Sequence, residues 1–348
     1  MEIRAFAIRE RGAAPTPFSY ERSVGGREVL VRITHRSVTT GDVQFMDDAW
    51  GDTRYPLVPC HEMVGTVEEL GREVSELSVG ERVGIGFQLG ACFACSFCHR
   101  GVEQFCPQQT VVGVNAYGGL AEHIVVDSRF AFRLPNQLDS AATTPLFSSG
   151  LTVYSAIVQA QLPAEARVGV LGIGGLGRLA LQILRAMGLQ RVAAFSRSPD
   201  KRELIGRLGA EYIDVEQPRA SFDFILSTLN VPFDIDQYLA LLKPEGQFCF
   251  VAAPTQPLSL RAGLLYDYGR RRMYGSYVGS RADAVRMLDF AAQHNIQPEV
   301  EVMPLPQLNN AIERIRKRDA STPLVLESLQ SGGRRDPLRS PPSHNPRK

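Results

Sequence analysis

The sequence predicts an α/β protein of two lobes, one mainly antiparallel β and one a doubly wound parallel sheet. Three observations carry this. The chain has 348 residues, more than one hydrophobic core usually serves. Near residue 150 its rhythm changes from short β-type runs divided by Gly and Pro to a repeat of apolar strand, glycine turn and amphipathic helix. That repeat opens on the loop Gly172-Ile173-Gly174-Gly175-Leu176-Gly177.

The β-type runs of residues 1–149 include Val29-Leu30-Val31-Arg32-Ile33-Thr34 and Arg82-Val83-Gly84-Ile85-Gly86. In residues 150–279, Val168-Gly169-Val170-Leu171 is the first strand, and the helix after the glycines sets Leu176, Leu179, Ala180, Ile183 and Leu184 on one face. Arg191 to Phe195, Phe222 to Leu226, Gln247 to Ala252 and Met273 to Val278 continue the strands, with Lys243-Pro244-Glu245-Gly246 a turn between helix and strand. Ser280 and Asp283 form a capping box for a helix from Arg281 to His294. A strand near Val300 to Met303, a helix near Leu308 to Lys317 and a strand near Leu324 to Glu327 follow, so that 280–330 returns to the first lobe. Residues 331–348 are rich in Pro, Ser and Arg and read as a disordered tail. The tail carries +4 and leaves the rest near −3; contact with an acidic partner is its alternative reading.

A composition of 44% hydrophobic and 22% charged residues is that of a soluble globular protein, and a net charge of +1 gathers neither nucleic acid nor an anionic membrane. The absence of an 18-residue apolar run or of an apolar leader behind Met1-Glu2-Ile3-Arg4 places the expected protein in the cytoplasm. Four of the six cysteines, Cys92, Cys95, Cys98 and Cys106, have the spacing C-x2-C-x2-C-x7-C. Four thiolates at about 2.3 Å close a tetrahedral structural zinc site with no position for substrate. Free buried thiols are the alternative. Cys249, inside Phe248-Cys249-Phe250-Val251, reads as a buried small hydrophobe.

In the glycine loop, Gly172 permits the tight turn, Gly174 lets the backbone approach a pyrophosphate, and Gly177 lets helix and strand pack closely. The helix N-terminus then offers its unpaired N–H groups to the phosphates. An acid about 20 residues further on would hold the ribose of NAD; Phe195-Ser196-Arg197-Ser198 stands there instead. Ser196, Arg197, Ser198 and Lys201 can bind a 2′-phosphate, so NADP(H) is the expected cofactor. In the alternative, Ser198 merely caps the helix starting at Pro199 and Arg197 is solvated.

The tetrad, Pro59-Cys60-His61-Glu62, Gly118-Gly119-Leu120-Ala121-Glu122 and the glycine loop together resemble the medium-chain, zinc-containing alcohol dehydrogenase family. Gly101-Val102-Glu103-Gln104-Phe105-Cys106-Pro107, Gly275-Ser276-Tyr277-Val278-Gly279 and Met287-Leu288-Asp289-Phe290-Ala291-Ala292 resemble its cinnamyl alcohol dehydrogenase-like branch. The resemblance implies a GroES-like catalytic domain, a Rossmann domain, a small-molecule substrate in a cleft between them, a homodimer and a second, catalytic zinc. It also implies cofactor contacts from Thr152, Ile173, Gly175, Leu176, Thr228, Ser276 and Val278.

The chain departs from that pattern where the catalytic metal would be held. The family's first ligand, a cysteine, aligns with Thr39, and its last, also a cysteine, with Ser148. The relay hydroxyl and histidine align with Gly41 and Gln44, and the C-terminal arginine with Pro323. His61 and Glu62 survive as a residual ligand pair, with Asp42 positioned to hold an N–H of His61. Against this, His61 can be a hydrogen-bonded polar residue and Glu62 a charge in a salt bridge. Cys60 beside His61 points away in extended chain. Trp50 suits a substrate pocket or a core equally. Three functions stay open. The first is an NADP(H)-dependent reductase of aldehydes or of activated acceptors, conjugated carbonyls or imines, with a degraded catalytic zinc site. The others are an ordinary zinc alcohol/aldehyde dehydrogenase with unusual ligands and a non-catalytic NADPH-binding protein.

Overall fold

The computed structural model describes residues 1–216, 220–267, 269–320 and 322–328. The predicted tail, 331–348, lies outside the described residues. The chain divides into two compact units: Met1–Cys92 with Pro107–Phe147 and the stretch from Glu299, and Phe93–Cys106 with Ser148–Pro298.

The first unit is built on the eleven-residue strand Glu28–Val38, whose alternation of β-branched and polar residues suits a half-buried strand. It pairs antiparallel with Met63–Leu70, His123–Asp127 and Leu324–Glu327, and the last of these lies parallel to Glu301–Pro304. The helix Leu308–Arg316 buries Leu308, Ala311 and Ile312 in a core with Ile3, Ile8, Val38, Met46 and Leu326.

The second unit is a six-stranded parallel sheet. From one edge its strands run Glu211–Asp214, Arg191–Ser196, Arg167–Leu171, Phe222–Ser227, Leu242–Phe250 and Arg272–Gly275. This is the 3-2-1-4-5-6 order of a doubly wound nucleotide fold. Register brings Phe195, Leu171, Ser227, Phe250 and Gly275 into one row at the C-terminal ends, so the loops that follow emerge along one rim. The helix Gly175–Ala186 buries Leu179, Ala180, Leu181, Ile183 and Leu184, with Leu176 half-buried at its start.

Three expectations differ from what is observed. Lys243 to Gly246 do not separate helix from strand; they lie inside Leu242–Phe250, where Glu245 adopts φ +63° and the partner register slips between Phe222 and Phe224. The strand absorbs the turn as a bulge. The short strand Glu211–Asp214 is missing from the sequence reading because only Tyr212 and Ile213 in it are apolar. The helix Arg281–His294 groups with the nucleotide-binding unit and not with the first lobe. Its capping box is present as predicted, and Phe290 meets Tyr154 of the helix Ser149–Gln159 at a ring separation of 5.7 Å.

Candidate active site and nucleotide site

The strand Arg167–Leu171 runs into Gly172 at φ +90°, a conformation that side chains resist. A Cβ there would also lie 2.8 Å from Thr228 Oγ1, and that hydroxyl donates into the turn, 2.9 Å from the Gly172 carbonyl and 3.0 Å from that of Leu171. A Cβ on Gly177 would sit 1.9 Å from the Gly172 carbonyl oxygen, so the helix approaches the strand only as glycine. On Gly174 a Cβ would meet nothing within 4 Å, and no side chain caps the helix behind it. A tight turn, an open backbone and an uncapped helix N-terminus together fit a pyrophosphate.

At the end of the second strand, Ser196 is buried and its hydroxyl accepts the Ser198 N–H at 3.1 Å. Ser198 occupies the cap position before Pro199–Lys201, but its hydroxyl makes no capping hydrogen bond. Arg197 is exposed, and Lys201 reaches back to donate to the Ile173 carbonyl at 3.2 Å, tying this corner to the glycine loop. Sequence reasoning missed Asp214, which stands in register with Ser196 on the neighbouring strand. Its carboxylate accepts the Glu216 N–H at 3.0 Å and so serves its own turn. Thr228 and Ser276 follow the rim directly; Ser276 donates its N–H to Phe250 O at 2.8 Å, and Val278 is buried. Thr152 lies in the helix Ser149–Gln159, half-buried.

In the first unit, Thr39 caps the helix Thr40–Met46 in a capping box with Asp42. The Asp42 side chain is 1% exposed and takes four hydrogen bonds. Thr39 N–H and hydroxyl donate to Oδ2 at 2.9 and 2.8 Å; Cys60 N–H and His61 Nδ1 engage Oδ1 at 2.9 and 2.8 Å. Burial alone would raise the Asp42 pKa, but the neighbouring His61 charge and these bonds outweigh it and hold the carboxyl below its usual range. For His61, burial disfavours the imidazolium, yet Asp42, with a contribution from Glu62, holds its pKa above the ordinary value. The ring meets Phe87 edge-on at 5.8 Å, and Gly41 lies beside its other nitrogen.

Cys60, expected in extended chain, instead holds φ +72°. That left-handed step turns its N–H and the His61 ring onto the same carboxylate oxygen. Its thiol is fully buried in the core with Leu57, Val58 and Leu120, and burial pushes its pKa well above the ordinary value. Glu62 is fully buried, and its carbonyl accepts the Ser37 N–H at 3.0 Å. Ser148 falls in the second unit, at the cap of Ser149–Gln159, without a capping bond. Trp50 is 43% exposed against Phe45 and so is not a core aromatic. Cys249 is buried, its thiol pushed up to about 12, as expected of an inert small hydrophobe.

Among the described residues, the group of three or more His, Cys, Asp or Glu arranged to hold a metal ion is the tetrad Cys92, Cys95, Cys98 and Cys106. Its sulfurs lie within 4.8 Å of one another, with Cys95 and Cys98 at 3.6 Å. Thiolates around one zinc sit about 3.8 Å apart, so the tetrad fits a closed structural site. Around His61 the chemistry differs. The Thr39 hydroxyl gives its proton to Asp42, and the Cys60 thiol belongs to the core. His61 and Glu62 alone fall short of the three protein ligands of a catalytic zinc.

Comparison with known proteins accords with this arrangement. The profile of the alcohol dehydrogenase GroES-like domain matches residues 25–136, and that of zinc-binding dehydrogenases matches 175–293. The aldehyde reductase AdhA of Synechocystis is 38% identical over 332 residues, covering 93% of this chain and 98% of the relative. The chain belongs to the medium-chain zinc alcohol dehydrogenase family. Among solved structures, a cinnamyl alcohol dehydrogenase of Sorghum bicolor superposes with a TM-score of 0.89 at 33% identity, covering 94% of this chain and 98% of that one. One from Helicobacter pylori, in complex with NADP(H), gives 0.89 at 28% identity with the same coverage. The cinnamyl alcohol dehydrogenase-like branch therefore holds, as do the GroES-like and Rossmann domains and an oxidoreductase of alcohol dehydrogenase type. No helix among the described residues is long and apolar enough to cross a membrane.

Proposed function

We propose that this chain is an NADP(H)-dependent reductase of aldehydes or of acceptors that carry their own electron sink, conjugated carbonyls or imines. The observation that carries the cofactor assignment is the end of the second Rossmann strand, where Ser196, Arg197, Ser198 and Lys201 stand in place of an acid. NADPH supplies hydride; the glycine loop and the helix N-terminus behind it hold the pyrophosphate, and the four polar side chains take the 2′-phosphate. Residues Cys92, Cys95, Cys98 and Cys106 would hold a structural zinc, whose role would be to fix their loop and not to meet substrate. The reading of the acceptor rests on the side chains around His61, whose ligand set does not complete a catalytic metal site. Asp42, buried and saturated with hydrogen bonds, keeps one ring nitrogen of His61 engaged and the other directed to the substrate. The protein works as a homodimer in the cytoplasm, in line with its family and with Arg272–Gly275 forming the edge of the sheet among the described residues.

One observation favours a second reading: a histidine held through Nδ1 by a carboxylate is also how metal-ligating histidines are oriented. In that reading the chain is an ordinary zinc alcohol/aldehyde dehydrogenase with unusual ligands. The deciding experiment is zinc quantification together with an NADPH-oxidation screen across aldehydes, enals, quinones and imines, wild type beside His61→Ala. Turnover with NADPH at about one zinc per chain, lowered at least tenfold by His61→Ala, supports the proposal, and turnover at about two zinc ions per chain supports the second reading. Tight NADPH binding with no turnover of any acceptor would make the chain a non-catalytic NADPH-binding protein.

A further inference from the structure

We infer that Thr39 is a positioning residue that acts on His61 through Asp42; the inference rests on the placement of His61 in the reaction site. Both hydrogen bonds to Asp42 Oδ2 come from Thr39, one from its N–H and one from its hydroxyl, while both bonds to Oδ1 come from Cys60 and His61. A carboxylate offers about four acceptor positions, and here each oxygen has two in use. The group is buried, so it cannot rotate without abandoning a hydrogen bond that no water replaces. Thr39 therefore fixes the plane of the carboxylate from one side, and that plane sets the angle at which Oδ1 holds the imidazole on the other. The orientation is tightly bounded: Phe87 lies edge-on to the ring, and a Cβ on Gly41 would already stand 3.4 Å from Cε1. The hydroxyl also accepts the Asp42 N–H, at a longer 3.2 Å, which is an ordinary helix cap. Glycine is a good cap residue with no side chain, so Thr39→Gly keeps most of the capping preference while it removes the hydroxyl with both of its bonds, to Oδ2 and from the Asp42 N–H.

The test compares wild type with Thr39→Val, Thr39→Gly and Thr39→Ser in steady-state NADPH-dependent turnover and in the proton resonance of the His61 Nδ1–H in histidine-labelled protein. Positioning predicts that Thr39→Val and Thr39→Gly lower kcat about tenfold while the KM for NADPH stays within twofold, because a displaced reacting group costs rate, not cofactor binding. The Nδ1–H resonance moves upfield in both, and Thr39→Ser restores rate and resonance together. If Thr39→Val does not fold, Thr39→Gly carries the comparison. Turnover within twofold of wild type and an unmoved resonance in folded Thr39→Gly would reduce Thr39 to a cap and overturn the inference. Should wild type turn over no acceptor, the functional reading falls instead, and the resonance alone then supports or overturns the positioning role.

Discussion

At the scale of single residues, backbone conformation explains more of the site than side-chain identity does. Cys60 sits where φ is +72°, a region that costs a non-glycine residue about 1–3 kcal/mol. Replacement by glycine should leave the unfolding free energy within about 1 kcal/mol, relief of strain offsetting the lost thiol burial. Cys60→Val, β-branched in a left-handed site, should lose about 2–3 kcal/mol; chemical denaturation reads both. Gly177 is bound by contact instead: a methyl group 1.9 Å from the Gly172 oxygen must push helix from strand. Gly177→Ala is expected to cost about 1–3 kcal/mol in stability and to abolish NADPH binding in a fluorescence titration. The glycine spacing was legible in the sequence because pyrophosphate and close packing demand it. The left-handed turn at Cys60 was not, since nothing in the residue type announces a positive φ.

Elements carry the cofactor preference and part of the pH response. The segment after Arg191–Ser196 carries Arg197 and brings Lys201 to the glycine loop. Arg197→Glu should raise the KM for NADPH by roughly 10–100-fold, the worth of one or two charge-assisted hydrogen bonds, while the KM for NADH changes little. Asp214, across the ladder from Ser196, was invisible to a reading that looked along one strand and not sideways to the next. In the helix Arg281–His294, burial would raise Asp283, but the Ser280 N–H and Arg286 outweigh it and hold the carboxyl below its usual range. A depressed carboxyl stabilises the fold above its unfolded value, near about 3.9, and loses that contribution as pH falls through the folded value. As pH falls below about 5, Asp283→Asn should therefore lose less stability than wild type. The capping box itself was plain in the sequence because Ser280 and Asp283 have the required spacing. The unit to which its helix belongs was not: an apolar stripe says that a face is buried, not against what.

For the whole molecule, the sequence specified two lobes because the change from strand-and-turn to strand-and-helix rhythm is long and sustained. It missed details where local signals conflict, as in Lys243 to Gly246, whose turn-forming residues are carried in a strand because Leu242 before them and Gln247 after them pair with the same neighbouring strand. Around His61 it named Thr39 and Asp42, which hydrogen bonds join to that histidine in the fold, and left their roles open. Only the fold shows that Thr39 spends its hydroxyl on Asp42 and that Cys60 faces the core. The proposed function depends on one separation: a nucleotide loop and a thiolate tetrad that are kept, and a reactive-metal site whose ligands are not. Zinc per chain in the active, purified enzyme tests it most directly. About one zinc, lost together with Cys92→Ser and Cys95→Ser while wild type reduces its acceptor with NADPH, is the predicted result. Two zinc ions per chain, with activity lost when the second alone is removed by a chelator, would contradict it.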